Sequence, residues 1–323
     1  MTCRVERHEG RQKPALETLA RNGCVPQEKS AKLRSPARFG RSIPLTDAAA
    51  HQRETPRDRG GPTVIEPGSS YVALGSSFAS GPKIPRRVAG SPRAAGRSDH
   101  NYAHLVAGAL DLALTDVTFS GAVTADLLHP NQLGYPAQLE ALTPTTRLVT
   151  LTCGGNDLAY IPYLVATSIP RPLRMLPGGR TLTAALDTTQ LDEHAEALGE
   201  NLQLICARIR QRAPHARVLF TDYPALVPPA TDASPAPFTD ATASDARRIA
   251  DTLSTVVERH ARENRFEFVP AAQASRDHHA WAEVPWTSRM TLMPWAAAPY
   301  HPNAAGMRAV ADMILAQLGA SAQ

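Results

Sequence analysis

The residues best suited to chemistry occur in four short clusters, and the first of these surrounds Ser77. Residues 71–81 form a short apolar run that breaks into glycine and small hydroxyl residues. Such a run predicts a buried parallel strand, and open α/β sheets bind their ligands where the strands end. A serine that is exposed there and followed by a helix is placed to be a nucleophile. Glycine and serine together are also typical of a simple turn.

Three later clusters favour a site over a turn. Gly121 stands in a Ser-Gly-Ala segment after the apolar run 116–119, and Asn156 stands in a Gly-Gly-Asn-Asp segment after the run 147–153. The last cluster is His301 with the Pro and Asn that follow it, and it opens a segment with helical periodicity. Because parallel strands end, and the next helices begin, at one edge of a sheet, we expect these clusters to meet there.

The elements that position these clusters alternate between strand and helix from residue 71 onward. The pattern predicts five strands, over 71–74, 116–119, 148–152, 217–221 and 266–269. It predicts helices over 101–112 (with Ser98 or Asp99 as a cap), 135–142, 191–212, 241–263 and 302–318. Five strands with intervening helices indicate a parallel sheet covered on both faces, which is a three-layer α/β/α sandwich.

The four clusters resemble the motifs of the SGNH hydrolases, also called the GDSL-type esterases and lipases. That family has a Ser in a Gly-Asp-Ser-x-x-x-Gly block, a Gly, an Asn in a Gly-x-Asn-Asp block and a His near the end. The matching residues here are Ser77, Gly121, Asn156 and His301, in the family's order, and the resemblance covers residues 70–318. It implies a flavodoxin-like fold with a five-stranded parallel sheet, and hydrolysis of a small-molecule or lipid ester without a cofactor.

Ester hydrolysis by this route requires a nucleophile, a base and donors for the oxyanion. The resemblance implies that Ser77 forms the acyl-enzyme and that His301 is the base. The oxyanion hole then consists of the backbone N–H groups of Ser77 and Gly121 and the side-chain amide of Asn156. Taken alone, Asn156 and Asp157 also fit a turn or a helix cap, and His301 also fits a cap at the start of its helix.

The chain departs from the family pattern at two positions. Ser76 replaces the aspartate that usually precedes the nucleophile, and Ala298 replaces the aspartate that usually lies three residues before the histidine. His301 therefore needs another acceptor for its ring N–H. The candidates are a backbone carbonyl at Ala298, which we favour, and the carboxylate of Asp277. The loss of the aspartate also keeps open an inactive relative that binds an acylated or glycan ligand without cleaving it.

The net charge of +4 is unevenly distributed. Residues 1–60 contain 13 Lys and Arg against 7 Asp and Glu, so the remainder is mildly acidic. Few apolar residues and many Arg, Pro and Gly predict that residues 1–65 are a disordered basic extension and that residues 66–323 form the hydrolase domain. A nucleic-acid-binding arm is the alternative, but the acidic body does not favour it, and we expect no nucleic-acid partner.

Location and assembly are indicated by what the sequence lacks. It shows no apolar run of membrane-spanning length, no signal peptide at Met1 and no disulfide pattern among its four cysteines. We therefore expect a cytoplasmic protein, with secretion as the alternative if the start of the chain is misassigned. We also expect a monomer. The neighbouring His278 and His279 lack the paired carboxylates or thiols of a metal site, so we expect no metal.

Two segments near the site have open roles. The loop 274–299 carries three tryptophans, Trp281, Trp286 and Trp295, which either line an acyl pocket or pack the loop onto the body. The proline-rich segment 161–186 is either a lid over the substrate or an ordinary surface insertion.

Overall fold

The predicted strands form one parallel sheet. The computed structural model describes residues 65–130, 132–170, 172, 184–185, 187–232, 236–290 and 297–319. Five strands lie in the order β2-β1-β3-β4-β5, and each neighbouring pair is parallel. The strands are β1 Ser70–Gly75, β2 Ala113–Asp116, β3 Thr146–Thr152, β4 Arg217–Thr221 and β5 Glu267–Val269. This confirms the predicted five-stranded parallel sheet.

Helices connect the strands. They are α1 Ser77–Ser80, α2 Tyr102–Leu110, α3 Thr124–Leu128, α4 Tyr160–Ser168, α5 Leu191–Arg212, α6 Asp240–Glu263, α7 Ala271–Ala274 and α8 Ala304–Leu318. Short 3₁₀ turns span Arg93–Ala95, Gln132–Gly134, Gln138–Ala141 and Arg276–His278.

The sheet is covered on both faces, as expected for a three-layer sandwich. Side chains of a strand alternate between its faces, so β1 contributes to two separate cores. Val72 and Leu74 belong to a cluster that includes the buried side of α5 and α6, whereas Tyr71 and Ala73 belong to a cluster with α2 and α8. The apolar spacing predicted for α5 is buried at all four positions, Leu198, Leu202, Ile205 and Ile209.

The second strand and the short helix after it differ from the prediction. β2 spans Ala113–Asp116 rather than 116–119. The N–H groups of Val117 and Phe119 still donate to the carbonyls of Ala73 and Gly75, but Gly75 donates its own N–H to the side chain of Gln138, so the bonds in the other direction stop. Of the predicted helix 135–142 only Gln138–Ala141 is helical, as a 3₁₀ turn, and a second 3₁₀ turn, Gln132–Gly134, lies before it. Pro136 disfavours helical geometry at the residue before it and separates the two turns.

The helix starts also need correction. The cap of α2 is Asn101, not Ser98 or Asp99, and its side chain accepts a hydrogen bond from the N–H of His104. The last helix begins at Ala304 after the cap Asn303 rather than at Pro302. The first part of the proline-rich segment 161–186 is helix α4, whose proline lies in the first turn, where a missing N–H costs nothing.

Several predictions fall on residues that the structure does not describe. The extension 1–65 lies outside the described residues except for its last position, and so do Trp295 and most of 171–186. Among the helices of the described residues, none has the length and apolar character that crossing a bilayer requires. Cys153 and Cys206 are buried free thiols, and burial raises the pKa of Cys206 to about 12.

Candidate active site

Ser77 lies where β1 ends at the carboxyl edge of the sheet. The strand ends at Gly75, whose φ is +135° and whose missing Cβ would lie 2.3 Å from the carbonyl oxygen of Thr152 on β3. Only glycine fits there, because both the backbone conformation and the close approach exclude a side chain. The side-chain amide of Gln138 bonds to both the N–H and the C=O of Gly75. These contacts fix the turn that presents Ser77 as the first residue of α1.

His301 contacts the nucleophile candidate directly. Its Nε2 lies 2.8 Å from the Oγ of Ser77, and its Nδ1 lies 2.6 Å from the carbonyl oxygen of Pro299. A carbonyl accepts and cannot donate, so Nδ1 carries the proton and Nε2 of the neutral ring is free to accept the serine proton. Burial lowers the pKa of His301, and the Pro299 carbonyl acts in the opposite direction. The ring is therefore neutral near pH 7.

The acceptor at Nδ1 differs in detail from both candidates. The carbonyl belongs to Pro299, one residue after Ala298, because Tyr300 has a φ of +55° and turns the chain so that the Pro299 carbonyl faces the ring. Asp277 is exposed on the turn Arg276–His278, and within the described residues no hydrogen bond joins it to His301. Both ring nitrogens are already engaged, so no carboxylate takes part in this arrangement.

The backbone around His301 is held by a neighbouring loop. The N–H of Ser288 donates to the carbonyl of His301 at 2.9 Å, and the N–H of Tyr300 donates to the carbonyl of Ser288 at 3.0 Å. Asn303 caps α8 and also donates from its amide to the carbonyl of Pro285. Hydrogen bonds from the start of α8 and from the loop 274–299 therefore fix the backbone on both sides of His301. The sequence alone did not indicate that this loop supports the histidine.

Each of the three predicted oxyanion donors has a hydrogen that bonds to no described residue. Gly121 has a φ of +79°, and neither its N–H nor that of Ser77 has a hydrogen-bond acceptor among the described residues. The Asn156 amide nitrogen donates one hydrogen to the carbonyl of Ala122 at 2.8 Å, which leaves its second hydrogen available. Gln132 donates to the carbonyl of Ser120, so the peptide plane that carries the Gly121 N–H is held from its other side.

Asp157 anchors the loop that carries Asn156. Its carboxylate accepts hydrogen bonds from the N–H of Thr124 at 3.0 and 3.2 Å and from the Thr124 hydroxyl. Burial raises its pKa, and the Thr124 bonds partly offset this. The carboxylate thus joins the loop after β3 to the start of α3, which follows Gly121. Asp157 is therefore not a local turn or cap residue, because its carboxylate binds a residue 33 positions earlier in the chain.

Tyr223 is a residue of the site that sequence reasoning missed. It follows β4 at the same edge of the sheet, and its ring stacks on Phe78 with centroids 3.7 Å apart. Phe78 in turn contacts the ring of His301 at 5.3 Å. An aromatic residue just after a predicted strand was the available signal, since ligands bind where such strands end.

The two tryptophans that the structure describes pack against other side chains of the protein. Trp281 contacts Phe238 edge to face at 5.2 Å, and Trp286 stacks on His278 at 4.4 Å.

His279 is buried and bonds to Asp232 through Nε2. Within the ranges that the structure describes, no three His, Cys, Asp or Glu side chains are grouped to hold a metal ion.

A separate cavity of about 650 Å³ lies where β4 and β5 end, against one face of α6. Neither Ser77 nor His301 lines it, although Tyr223 does. Its floor includes the buried Asp222, which bonds to Ser254 and to the N–H of Ala272, and burial raises the pKa of Asp222 to about 6. These bonds join β4, α6 and α7, so Asp222 has a structural role.

Comparison with known proteins identifies the family of the chain. A model of the GDSL-like Lipase/Acylhydrolase family matches residues 73–309, which include all four motif residues. The chain belongs to this family. The membership confirms the resemblance to SGNH hydrolases and the prediction of a carboxylic ester hydrolase.

Individual members of the GDSL-like family are also similar. The chain is 33% identical over 285 residues to Lipase 2 of Streptomyces coelicolor, covering 86% of this chain and 92% of that protein. It is 28% identical over 263 residues to Lipase 1 of the same organism, covering 81% and 88%. The crystal structure of phospholipase A1 from Streptomyces albidoflavus superimposes with a TM-score of 0.62 at 26% identity, covering 77% of this chain and 98% of that one.

Proposed function

We propose that this GDSL-family protein hydrolyses carboxylic esters through an acyl-enzyme on Ser77. The observation that carries the proposal is the 2.8 Å contact between the Oγ of Ser77 and the Nε2 of His301, together with the Pro299 carbonyl that keeps the proton on Nδ1. A serine hydroxyl is a weak nucleophile until a base takes its proton, and this tautomer of histidine supplies that base.

The reaction proceeds in two halves. The Ser77 oxygen bonds to the ester carbonyl carbon while its proton moves to the Nε2 of His301. The resulting oxyanion accepts hydrogen bonds from the N–H groups of Ser77 and Gly121 and from the Asn156 amide. The C–O bond to the alcohol breaks, and the alcohol leaves with the proton from His301. Water then attacks the carbonyl carbon of the acyl-enzyme while its proton moves to His301. The bond to the Ser77 oxygen breaks, the proton returns to Ser77, and the acid is released.

The Pro299 carbonyl takes the place that a carboxylate holds in a three-residue arrangement. When His301 gains the serine proton, the ring becomes positively charged, and a carbonyl dipole stabilises that charge less than a carboxylate does. The acceptor still fixes the tautomer and the orientation of the ring. The proposed machinery is therefore a Ser77–His301 dyad with a backbone acceptor.

The substrate that we propose is an ester with an apolar acyl chain. Relatives named as lipases and a phospholipase A1 support this class over acetylated sugars. Tyr300, Trp281 and the half-buried Phe238 lie together near His301, but Tyr300 is fully buried and Trp281 is 9% exposed, so this cluster belongs to the core.

The test is hydrolysis of p-nitrophenyl esters with acetyl, butyryl, octanoyl and dodecanoyl groups. Wild type, Ser77→Ala and the control Ser69→Ala are compared, since Ser69 precedes β1 at the other end of the strand. We expect wild type and Ser69→Ala to be equally active and Ser77→Ala to be inactive, with kcat/KM rising from acetyl to longer chains. Equal activity of Ser77→Ala and wild type contradicts the nucleophile. If wild type is inert, the inactive ligand-binding relative becomes the better description.

A further inference from the structure

Tyr223 lies between the segments that carry the proposed nucleophile, base and oxyanion donor. Its hydroxyl is 2.7 Å from the Oγ of Ser76, the residue before Ser77. The same hydroxyl accepts a hydrogen bond from the N–H of Gly155, the residue before Asn156, at 3.3 Å. Ser76 is fully buried and Tyr223 is 5% exposed, so water does not replace these bonds.

The ring of Tyr223 makes the third connection. It stacks on Phe78, the residue after Ser77, with an interplanar angle of 17°, and the Phe78 ring contacts His301. Packing is close on the other side as well, because a Cβ on Gly155 would lie 2.3 Å from the Tyr223 ring. One side chain therefore touches both neighbours of the nucleophile and the neighbour of the oxyanion amide.

This arrangement also explains the serine at position 76. Ser76 stands where the family pattern has aspartate, and its hydroxyl meets a neutral phenol rather than a charged partner. One of the two hydroxyls donates the hydrogen bond and the other accepts it. The phenol oxygen also accepts a hydrogen bond from the N–H of Gly155. The bond joins the end of β1 to the loop after β3 through a residue that follows β4.

We propose that Tyr223 is a positioning residue for ester hydrolysis, holding Ser77 and Asn156 in register through its bonds to Ser76 and Gly155. The inference rests on the proposed function of Ser77. Tyr223 touches none of the reacting atoms. Catalytic groups must be held within about 0.5 Å of productive geometry, so loss of the hydroxyl lowers the rate of the chemical step more than it lowers substrate binding.

The test compares Tyr223→Phe, Ser76→Ala and the double variant. Tyr71→Phe is the matched control, because it removes a buried tyrosine hydroxyl from a 2.8 Å bond to Thr150 between β1 and β3, on the other face of the sheet. The measurements are kcat and KM for p-nitrophenyl butyrate, the rate at which diethyl p-nitrophenyl phosphate labels Ser77, and the melting temperature.

We expect Tyr223→Phe to lower kcat and the labelling rate by about 3- to 10-fold with little change in KM, as loss of one buried hydrogen bond in the transition state implies. The double variant should be no slower than the slower single variant, because both single changes break the same bond. Tyr71→Phe should lower the melting temperature and leave kcat unchanged.

Other outcomes overturn the inference. If Tyr223→Phe and Ser76→Ala keep the kcat of Tyr71→Phe while Ser77→Ala is inactive, Tyr223 has only a packing role and the proposed function stands. Independent, additive losses in the double variant also contradict the shared bond. If wild type is inert, or if Ser77→Ala is fully active, the proposed function and this inference fail together.

Discussion

The Nδ1 of His301 lies 2.6 Å from the carbonyl oxygen of Pro299, two residues earlier in the chain. This contact occupies the ring nitrogen that a carboxylate would otherwise bind. It is formed within one turn of backbone, at Tyr300, whose φ is positive. The acceptor is a backbone carbonyl, so a side-chain substitution at Pro299 does not remove it. The orientation of His301 therefore depends on the local backbone conformation and not on a carboxylate from a distant part of the chain.

Removal of the Asp277 charge should leave activity intact. Asp277 is exposed, and both nitrogens of His301 are already bonded to Ser77 and Pro299. We expect Asp277→Asn to have the kcat/KM of wild type within about twofold, because surface changes of this kind have small effects. Steady-state hydrolysis of p-nitrophenyl butyrate measures this. A loss of tenfold or more would make Asp277 the third member and the Pro299 contact incidental.

The pH dependence of kcat/KM should reflect a histidine that is hard to protonate. The proposed base acts when neutral, and burial lowers its pKa from the ordinary value of 6.5. Activity should therefore be constant at neutral pH and fall on acidification with an inflection below 6.5, since kcat/KM reports the free enzyme. Initial rates between about pH 4 and pH 9 give the profile. An inflection above 6.5 would mean that a negative charge, not a carbonyl, faces the ring.

Loss of the Asn156 amide should remove one oxyanion donor. Asn156→Ala is expected to lower kcat on the order of 10²- to 10³-fold with a small change in KM, because the bond strengthens as charge develops on the substrate oxygen. The control is Asn201→Ala, which removes a nearby amide that donates, among the described residues, to the Thr124 hydroxyl alone. Similar losses in the two variants would show that the effect comes from the loop packing and not from oxyanion stabilisation.

A methyl group at Gly155 should disturb the packing beneath the site. The Cβ of Gly155→Ala would lie 2.3 Å from the ring of Tyr223, so the ring or the loop must move. We expect a loss of about 1–3 kcal/mol in the free energy of unfolding, as in other overpacked cores, together with a lower kcat.

The matched change is Gly108→Ala in α2. Within the described part of the chain, no atom beyond the neighbouring residues and the backbone of α2 lies within 4 Å of the Cβ it would add. Alanine in a helix interior is more favourable than glycine by about 0.5–1 kcal/mol. Urea unfolding should therefore move the two variants in opposite directions. If both variants stabilise the protein, the close approach between Gly155 and Tyr223 is wrong.

His260 should make the fold less stable in acid. It is buried between α5 and α6, its Nε2 lies 3.1 Å from the position of a Cβ on Gly199, and neither ring nitrogen has a hydrogen-bond partner within the described part of the chain. Burial and the nearby Arg259 lower its pKa, and Glu263 acts in the opposite direction. Below about pH 6.5 the unfolded chain binds a proton at this histidine more readily than the folded chain does. The free energy of unfolding therefore decreases as the pH is lowered below about 6.5.

His260→Leu removes this dependence. The melting temperature of the variant relative to wild type should increase as the pH falls from about 8 to about 5, because the leucine has no proton to bind. The variant His129→Gln, at an exposed position, corrects for the loss of one histidine as such. A melting-temperature difference that is the same at both pH values would mean that His260 titrates alike in the folded and unfolded chain.

The sequence by itself determined the architecture and the order of the site. Apolar runs of strand length located four of the five strands, whereas β2 lies three residues before its predicted position. The four motif residues follow or precede elements that must end at one edge of a parallel sheet. The long helices α5 and α6 were predicted to within one residue, because their apolar periodicity extends over several turns. Local patterns are sufficient for such features.

The tertiary structure alone decided how the site is held. Tyr223 is 147 residues from Ser76, Gln138 is 63 residues from Gly75, and Asp157 is 33 residues from Thr124. No periodicity in the sequence relates such pairs, because each bond depends on which strands become neighbours and on the depth at which their loops pack. The Pro299 carbonyl is close in sequence, but its direction follows from the positive φ of Tyr300, which the surrounding contacts impose and residue type does not predict.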